Sequence, residues 1–576
     1  MIKTSLLENN YYDNAVRKSI KWRWFPILII TLILGYIVLR IAEPQILSFL
    51  MAALPVEPDK STRFYLDFLR LLFNEILWLA GFLGIAWLFV VYDPFSSTVR
   101  AVERGALRSI RLAAAGIIAI SFFTSIFVGY NTLETFANSS DEYAYLFQAS
   151  TMAKGKLWES SHQLPDFFYF NHIANKDGIA VSRFPPGWPL ILSTAYWLGV
   201  NPILVNPLLG AILLIVFFSF VNRFYSPRIA FWSLLVLALT SFFIFNSASY
   251  FSHVSCALFA LLFVYGSHLY FERPKPEYLV LAGFFLAMVV ITRYFTAILI
   301  FLPFFFVYIR NCKVGCIKAF FWLGVGALPC LGFLFWYNYS ITGNALLPVT
   351  MWAYADESLG FVRGHTVAKG LEHVVRWLGM FLYWCSPAVL VLYFIALIDK
   401  VKDREARWAH PEDYLFFVLI CGYFFYYQIG GNQYGPRFLF EALPFMVLLV
   451  VSKVLALNKK WITGLLVAGI LFAIVKLPFI AWREHQVIEE RKDVYSLVQQ
   501  RDIRNAVVIV SSYTSVMRPM PTGDLTRNDV YYLNDVLYAL DLNQRNQELM
   551  DYYPDRQFYR YVREVNDPHG KLIRVR

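Results

Sequence analysis

Apolar stretches of membrane-crossing length recur along this chain from about residue 25 to residue 480, with short charged or polar connectors between them. About 20 apolar residues in a helix span the hydrocarbon core of a bilayer. A segment inside lipid must satisfy its own backbone, which leaves helices and closed barrels. These runs are continuous rather than alternating, so the expected fold is an all-α polytopic membrane protein of about 12 spans plus a re-entrant pair. With 58% hydrophobic and 16% charged residues, a soluble globule could not cover this much apolar surface. The net charge of +11 lies largely in the connectors, where it orients helices, and it does not point to nucleic acid.

Three parts are expected. Residues 1–109 form a basic N-terminal segment and two additional spans, 110–480 a transmembrane core, and 481–576 a small extracytoplasmic α/β domain. Spans of the core include 229–246, 377–398 and 413–428, while 187–200 lies in the interface without crossing. Residues 278–309 read as two short apolar halves meeting at Arg293, a charge that is costly in lipid unless it faces a cavity or an anionic partner. In this topology the inner segments hold 22 Lys and Arg and the outer loops 10, which sets the N-terminus in the cytoplasm and the long 130–189 loop outside. In the tail, NAVVIVSS, DVYYL, QFYRYV and KLIRV read as strands and 542–551 as a helix. It has no glycine-rich phosphate loop, so no nucleotide site is assigned.

The 138–189 stretch is the most polar interval before residue 480. Asp141 and Glu142 open it, and two readings stand side by side. One makes Asp141 a general base at the membrane surface. The other makes Ser139, Ser140 and Asp141 the N-cap and first turn of a helix. Arg183, Arg293 and Arg437 are candidates for holding a phosphate, with interfacial anchoring or internal pairing as the alternatives. Tyr434 stands beside Arg437 in the Gly-rich 430–444 segment, where a tight turn is the alternative reading. A divalent metal at Glu142, Asp166 and His172, with His162 nearby, is left open. Ordinary loop roles compete with it. The pair Asp356-Glu357 reads as solvated.

RFPPGWPLIL, AGFFLAMVVITRYFTAILIFLP, YNYSITGNALLP and QYGPRFLFEALPF follow the acidic pair in order. Together they resemble the GT-C superfamily of polyprenyl-phosphate-sugar glycosyltransferases, in particular bacterial relatives of protein O-mannosyltransferases and aminoarabinose transferases. The resemblance covers residues 110–480. It implies a multi-pass enzyme of the bacterial cytoplasmic (inner) membrane. Such an enzyme moves a sugar from a polyprenyl-phosphate carrier to a glycan, lipid or protein acceptor at the outer face, with inversion. It further implies Asp141 as base, Glu142 assisting or holding a metal, and the three arginines on the leaving phosphate. A transporter or flippase of a lipid-linked sugar is the competing reading, since it too would use a broken helix and buried charge. Against it, no internal repeat relates the two halves.

Overall fold

The computed structural model describes residues 78–312, 315–354, 359–362, 364–403, 406–430, 433–457, 459–511, 522–563 and 569–576. The first span, the start of the second, Asp356-Glu357 and part of the 430–444 segment lie outside them. Among the described residues seven helices are long and apolar enough to cross a membrane, or up to ten if each bent pair counts as one span.

Several expected elements appear at their expected places. Ile110–Phe127 runs into a π turn at Val128–Thr132, Pro202–Phe224 and His253–Glu272 follow, and Cys316–Thr342 forms one 27-residue helix. Gly187–Trp197 is a separate helix of 11 residues, in keeping with a segment that does not cross. The two halves around Arg293 are Pro276–Thr292 and Tyr294–Cys312. Arg293 is extended (φ −153°, ψ 92°), which ends the first helix and lets the chain turn back. The far ends of both halves adjoin the end of the His253–Glu272 helix. There Gly266 faces Ala282, and Tyr308 donates to Ser267 at 2.9 Å. The pair is therefore a hairpin with Arg293 at its tip. Its second half is long and apolar enough to cross on its own, so only Pro276–Thr292 is as short as expected.

Close packing holds the hairpin. A Cβ on Gly326 would sit 1.9 Å from the Val280 carbonyl oxygen, and one on Gly283 would sit 2.0 Å from that of Leu323. The two helices touch backbone to backbone there, as small residues allow inside a bilayer.

Three expected spans differ. Residues 229–246 break at Thr240 into helices bent by 64°. Residues 377–398 are not one helix: Val367–Trp384 and the following helix meet at 119°, because Ser386 is extended and Pro387 starts a new helix. The 413–428 span shrinks to Leu415–Tyr423, only nine residues.

The long loop carries its own three-stranded antiparallel sheet, β1 (Glu159–Ser160), β3 (Ile179–Ser182) and β2 (Ile173–Lys176) in that order. Asp177 and Gly178, with φ of 53° and 78°, make the two-residue turn between β2 and β3. The last span continues without interruption past residue 480, as one helix from Lys459 to Gln500. Beyond it β4 (Ala506–Val510), β5 (Val536–Leu540), β6 (Gln557–Val562) and β7 (Lys571–Arg574) form a sheet in the order β5-β4-β6-β7, parallel except for β7. The expected strand at DVYYL is a turn instead. Asp529 accepts from the Tyr531 N–H, Tyr532 adopts φ 57°, and the strand starts at Val536. The expected helix is Asn546–Tyr552.

This small domain is seated on the loop. Phe167 and Phe168 are buried in its core beside Val507, Ile509 and Phe558. Leu540 N–H donates to the Phe167 carbonyl at 2.7 Å, and Arg545 pairs with Asp166 at 2.8 Å. Tyr143 donates to the Asn528 carbonyl and Thr526 to that of Tyr169.

Candidate active site

The helix Ser140–Ala153 begins at Ser139, whose extended backbone and side-chain oxygen make the cap: Oγ accepts from Glu142 N–H at 3.2 Å. Ser139 thus fills the capping role that competed for Asp141, and leaves the aspartate free in the first turn. Its Oδ1 accepts from His172 Nε2 at 3.1 Å and its Oδ2 from Arg437 Nη1 at 3.0 Å. About a quarter (24%) of the Asp141 side chain stays open. Burial alone would raise this carboxyl. The His172 hydrogen bond and the Arg437 charge outweigh it and hold the group well below the usual aspartate range.

Glu142 lies in a different environment. It is 1% exposed, and its Oε1 accepts from Tyr250 N–H at 2.9 Å. Burial pushes its carboxyl up to about 7, against the opposing hydrogen bonds and arginine charges. Its contact is with the Ser249–Ser252 turn between two membrane helices, so it ties the acidic helix to the bundle.

Arg437 is fixed from three sides. It donates to Asp141 and to the Gly430 carbonyl, and its guanidinium lies 3.7 Å over the Phe251 ring. Gly435, two residues earlier, has φ 97°, and a Cβ there would stand 2.7 Å from the Phe242 ring. Tyr434 is fully buried among Phe245, Phe251 and Trp384 and supports this turn from within.

Arg293, at the hairpin tip, has the anionic partner its depth requires. Its Nε is 3.5 Å from Glu441 Oε1, which also meets His253 Nδ1 at 3.0 Å. Thr296 accepts from Arg293 Nε at 3.2 Å, and Phe438 lies under the guanidinium at 5.2 Å. Tyr145, on the acidic helix, senses both clusters. Burial and then the Asp141 charge push its phenol up to about 12, while Arg293 and Arg437 pull the other way. Arg437 lies over the Phe251 ring and Arg293 Nη1 stands 3.4 Å from His253 Nε2, so the two arginines meet neighbouring residues at the start of one helix, with Asp141 on Arg437.

Arg183 borders it. Its backbone N–H donates to the His172 carbonyl at 3.0 Å, its guanidinium donates to Thr350 Oγ1 at 3.1 Å, and the Tyr354 ring lies 4.5 Å beneath. Asp524, 4% exposed, approaches from the C-terminal domain. Burial raises its carboxyl to about 6, against Arg527 and His172, while the Asp141 charge adds to the rise.

The metal set considered for Glu142, Asp166 and His172 does not converge. Glu142 binds Tyr250, Asp166 pairs with Arg545, and His172 faces Asp141. His162 packs between Phe168 and Tyr532 and bonds Tyr553 at 2.9 Å, at the seat of the C-terminal domain. No reaction step is assigned to a metal here.

His253, Glu441, Tyr145 and Phe251 had no part in the sequence-based site. His253 and Glu441 carried the same signal as Arg293, an ionisable residue inside an apolar run. Tyr145 and Phe251 carried none.

No protein-family model matches this chain, and no curated protein matches it in sequence. Among solved structures it is similar to ArnT from Cupriavidus metallidurans bound to undecaprenyl phosphate, at 10% identity and a TM-score of 0.52, over 81% of this chain and 98% of that one. It is equally similar to the apo state of that protein, at 12% identity and a TM-score of 0.52, over 80% and 98%. The Archaeoglobus fulgidus oligosaccharyltransferase in complex with Zn and sulfate matches at 12% identity and a TM-score of 0.44, over 69% and 60%. The chain therefore shares the fold of these ArnT structures over about four fifths of its length, 81% and 80%.

Proposed function

We propose that the chain is a membrane glycosyltransferase of the GT-C superfamily. It moves a sugar from a polyprenyl-phosphate carrier to an acceptor hydroxyl or amine at the outer face of a bacterial cytoplasmic membrane. The observation that carries this reading is the Asp141 carboxylate, partly open and held against Arg437, with Arg293 across the same region. A carboxylate and guanidinium groups gathered together match the two ends of the transfer, proton uptake and phosphate departure.

The acceptor loses its proton to Asp141, and its oxygen or nitrogen bonds the anomeric carbon on the face opposite the phosphate. The bond from that carbon to the phosphate oxygen breaks, and its electron pair leaves with the lipid phosphate, so the configuration inverts. Arg437 and Arg293, with Arg183 at the border, neutralise that charge. Asp141 and Arg437 touch at 3.0 Å, so a sugar fits between them only once the pair has opened. The incoming phosphate competes for Arg437. As the guanidinium turns towards it, Asp141 keeps the His172 hydrogen bond but loses part of the Arg437 charge that, with that bond, lowers its basicity. Donor binding thus prepares the base.

The test is purified protein in lipid with an undecaprenyl-phosphate sugar, followed by mass spectrometry for free or transferred sugar. Release or transfer that disappears in Asp141→Asn supports the transferase. Lipid translocation that persists in that variant, with no loss of sugar from the carrier, would establish the flippase reading in its place.

A further inference from the structure

At the opposite end of the bundle, three segments bring two imidazoles and a carboxylate together. His268 lies near the end of the His253–Glu272 helix, 15 residues from His253, or roughly 22 Å along the axis. His410 precedes the Pro411–Tyr414 turn, Glu412 lies within it, and Tyr225 closes the Val205–Phe224 helix. Glu412 is fully buried. Its Oε2 is 2.9 Å from His268 Nε2 and its Oε1 is 3.2 Å from His410 Nδ1. The Tyr225 hydroxyl lies 2.8 Å from His410 Nδ1 and 3.1 Å from Glu412 Oε1.

A buried carboxylate needs a compensating cation. Lys400, the nearby candidate, is committed elsewhere: it pairs with Asp413 and donates to the His410 carbonyl at 2.7 Å. Among the described residues the ion-pair partners of Glu412 are the two imidazoles alone. The donor atoms of the three side chains all lie within 4.8 Å of one another. Metal bonds of about 2.0–2.1 Å in a tetrahedron put ligands about 3.3 Å apart, close to the two His–Glu separations of 2.9 and 3.2 Å. Lys400 fixes the backbone that carries His410, as an outer shell fixes a ligand.

We infer that His268, His410 and Glu412 bind one divalent transition-metal ion of the zinc class, with the Tyr225 hydroxyl at the fourth corner. Two imidazoles and one carboxylate select such an ion over magnesium or calcium. The ion clamps the helix ends away from Asp141, so the inference does not depend on the transferase reading.

The full chain, purified with a tag free of histidine, is dialysed and its metal content measured by plasma mass spectrometry. About one zinc-class ion per chain is expected, falling towards zero in His410→Ala and Glu412→Gln and unchanged in Asp141→Asn. Absence of the ion from the wild-type chain, or equal content in His410→Ala, would overturn the site, and so would loss of the ion in Asp141→Asn. Should the ligand variants fail to fold, cobalt(II) added to the wild-type chain decides. Tetrahedral d–d bands displaced by one equivalent of zinc support the site, and their absence refutes it.

Discussion

Arg437 donates to the Asp141 carboxylate at 3.0 Å although 296 positions separate the two. The contact links the loop after the Ile110–Phe127 helix to the turn that opens the Arg437–Leu455 span. Asp141→Asn keeps the shape of the side chain and removes its charge. The transfer rate should fall by about 100-fold or more, with melting in detergent shifted by only a few degrees, since Arg437 retains the Gly430 carbonyl and the Phe251 ring. Full activity in this variant would remove Asp141 from the role of base.

Stability should depend on pH through Glu142. Its folded value of about 7 stands above the ordinary 4.5. Between these values the unfolded chain releases a proton that the folded chain retains. The stabilisation is complete below pH 4.5 and is lost as pH rises to about 7, for an effect of about 3 kcal/mol. Asp524, raised to about 6, adds to the same trend, whereas Asp141 has the opposite sign and acts only below its ordinary range. Melting of the wild-type chain should fall from pH 5 to 7.5, and Glu142→Gln should flatten the slope.

Arg293→Met should destabilise the bundle by about 3 kcal/mol, because it takes the arginine charge from the buried Glu441 carboxylate and leaves His253 as its ion-pair partner among the described residues. Adding Glu441→Gln should recover most of that stability without restoring transfer. Recovery of both would make Arg293 purely structural.

Phe167 is fully buried in the core of the C-terminal domain. Phe167→Ala should weaken the seating of that domain by about 3 kcal/mol or more, in line with aromatic truncations in packed cores. Limited proteolysis should then cut between residues 500 and 506 faster than in the wild-type chain. Unchanged cleavage would mean that the contacts around Asp166 and Thr526 suffice.

Gly435→Ala forces a Cβ into the Phe242 ring at a φ of 97°. Because the turn aims Arg437, activity should fall more steeply than melting temperature. A variant that melts early but turns over normally when cold would break this link.

The sequence was most legible where one residue type had one physical excuse. Arg293 in an apolar run demanded an anion, and Glu441 supplies it. Ser139, Ser140 and Asp141 read as a cap and first turn, and Ser139 caps a helix that has Asp141 in its first turn. Other features were present but outweighed. Pro387 was a visible break inside an expected span, and the Asp177-Gly178 pair marked a hairpin in what read as open loop. DVYYL has strand propensity, yet Asp529 closes it into a turn. The approach of His172 and Asp524 to Asp141 could not be read, because it rests on contacts between distant segments.

Synthesis gives the seat of the C-terminal domain a temporal meaning. Asp166 leaves the ribosome 379 residues ahead of Arg545, its partner, and Phe167 follows at once without the strands that will enclose it. The stretch bearing Phe167 must therefore wait, provisionally folded, until those strands have been translated. A ribosome that stopped just after the last span would leave Asp141 with His172 and Arg437 but Phe167 stripped of the strands that enclose it.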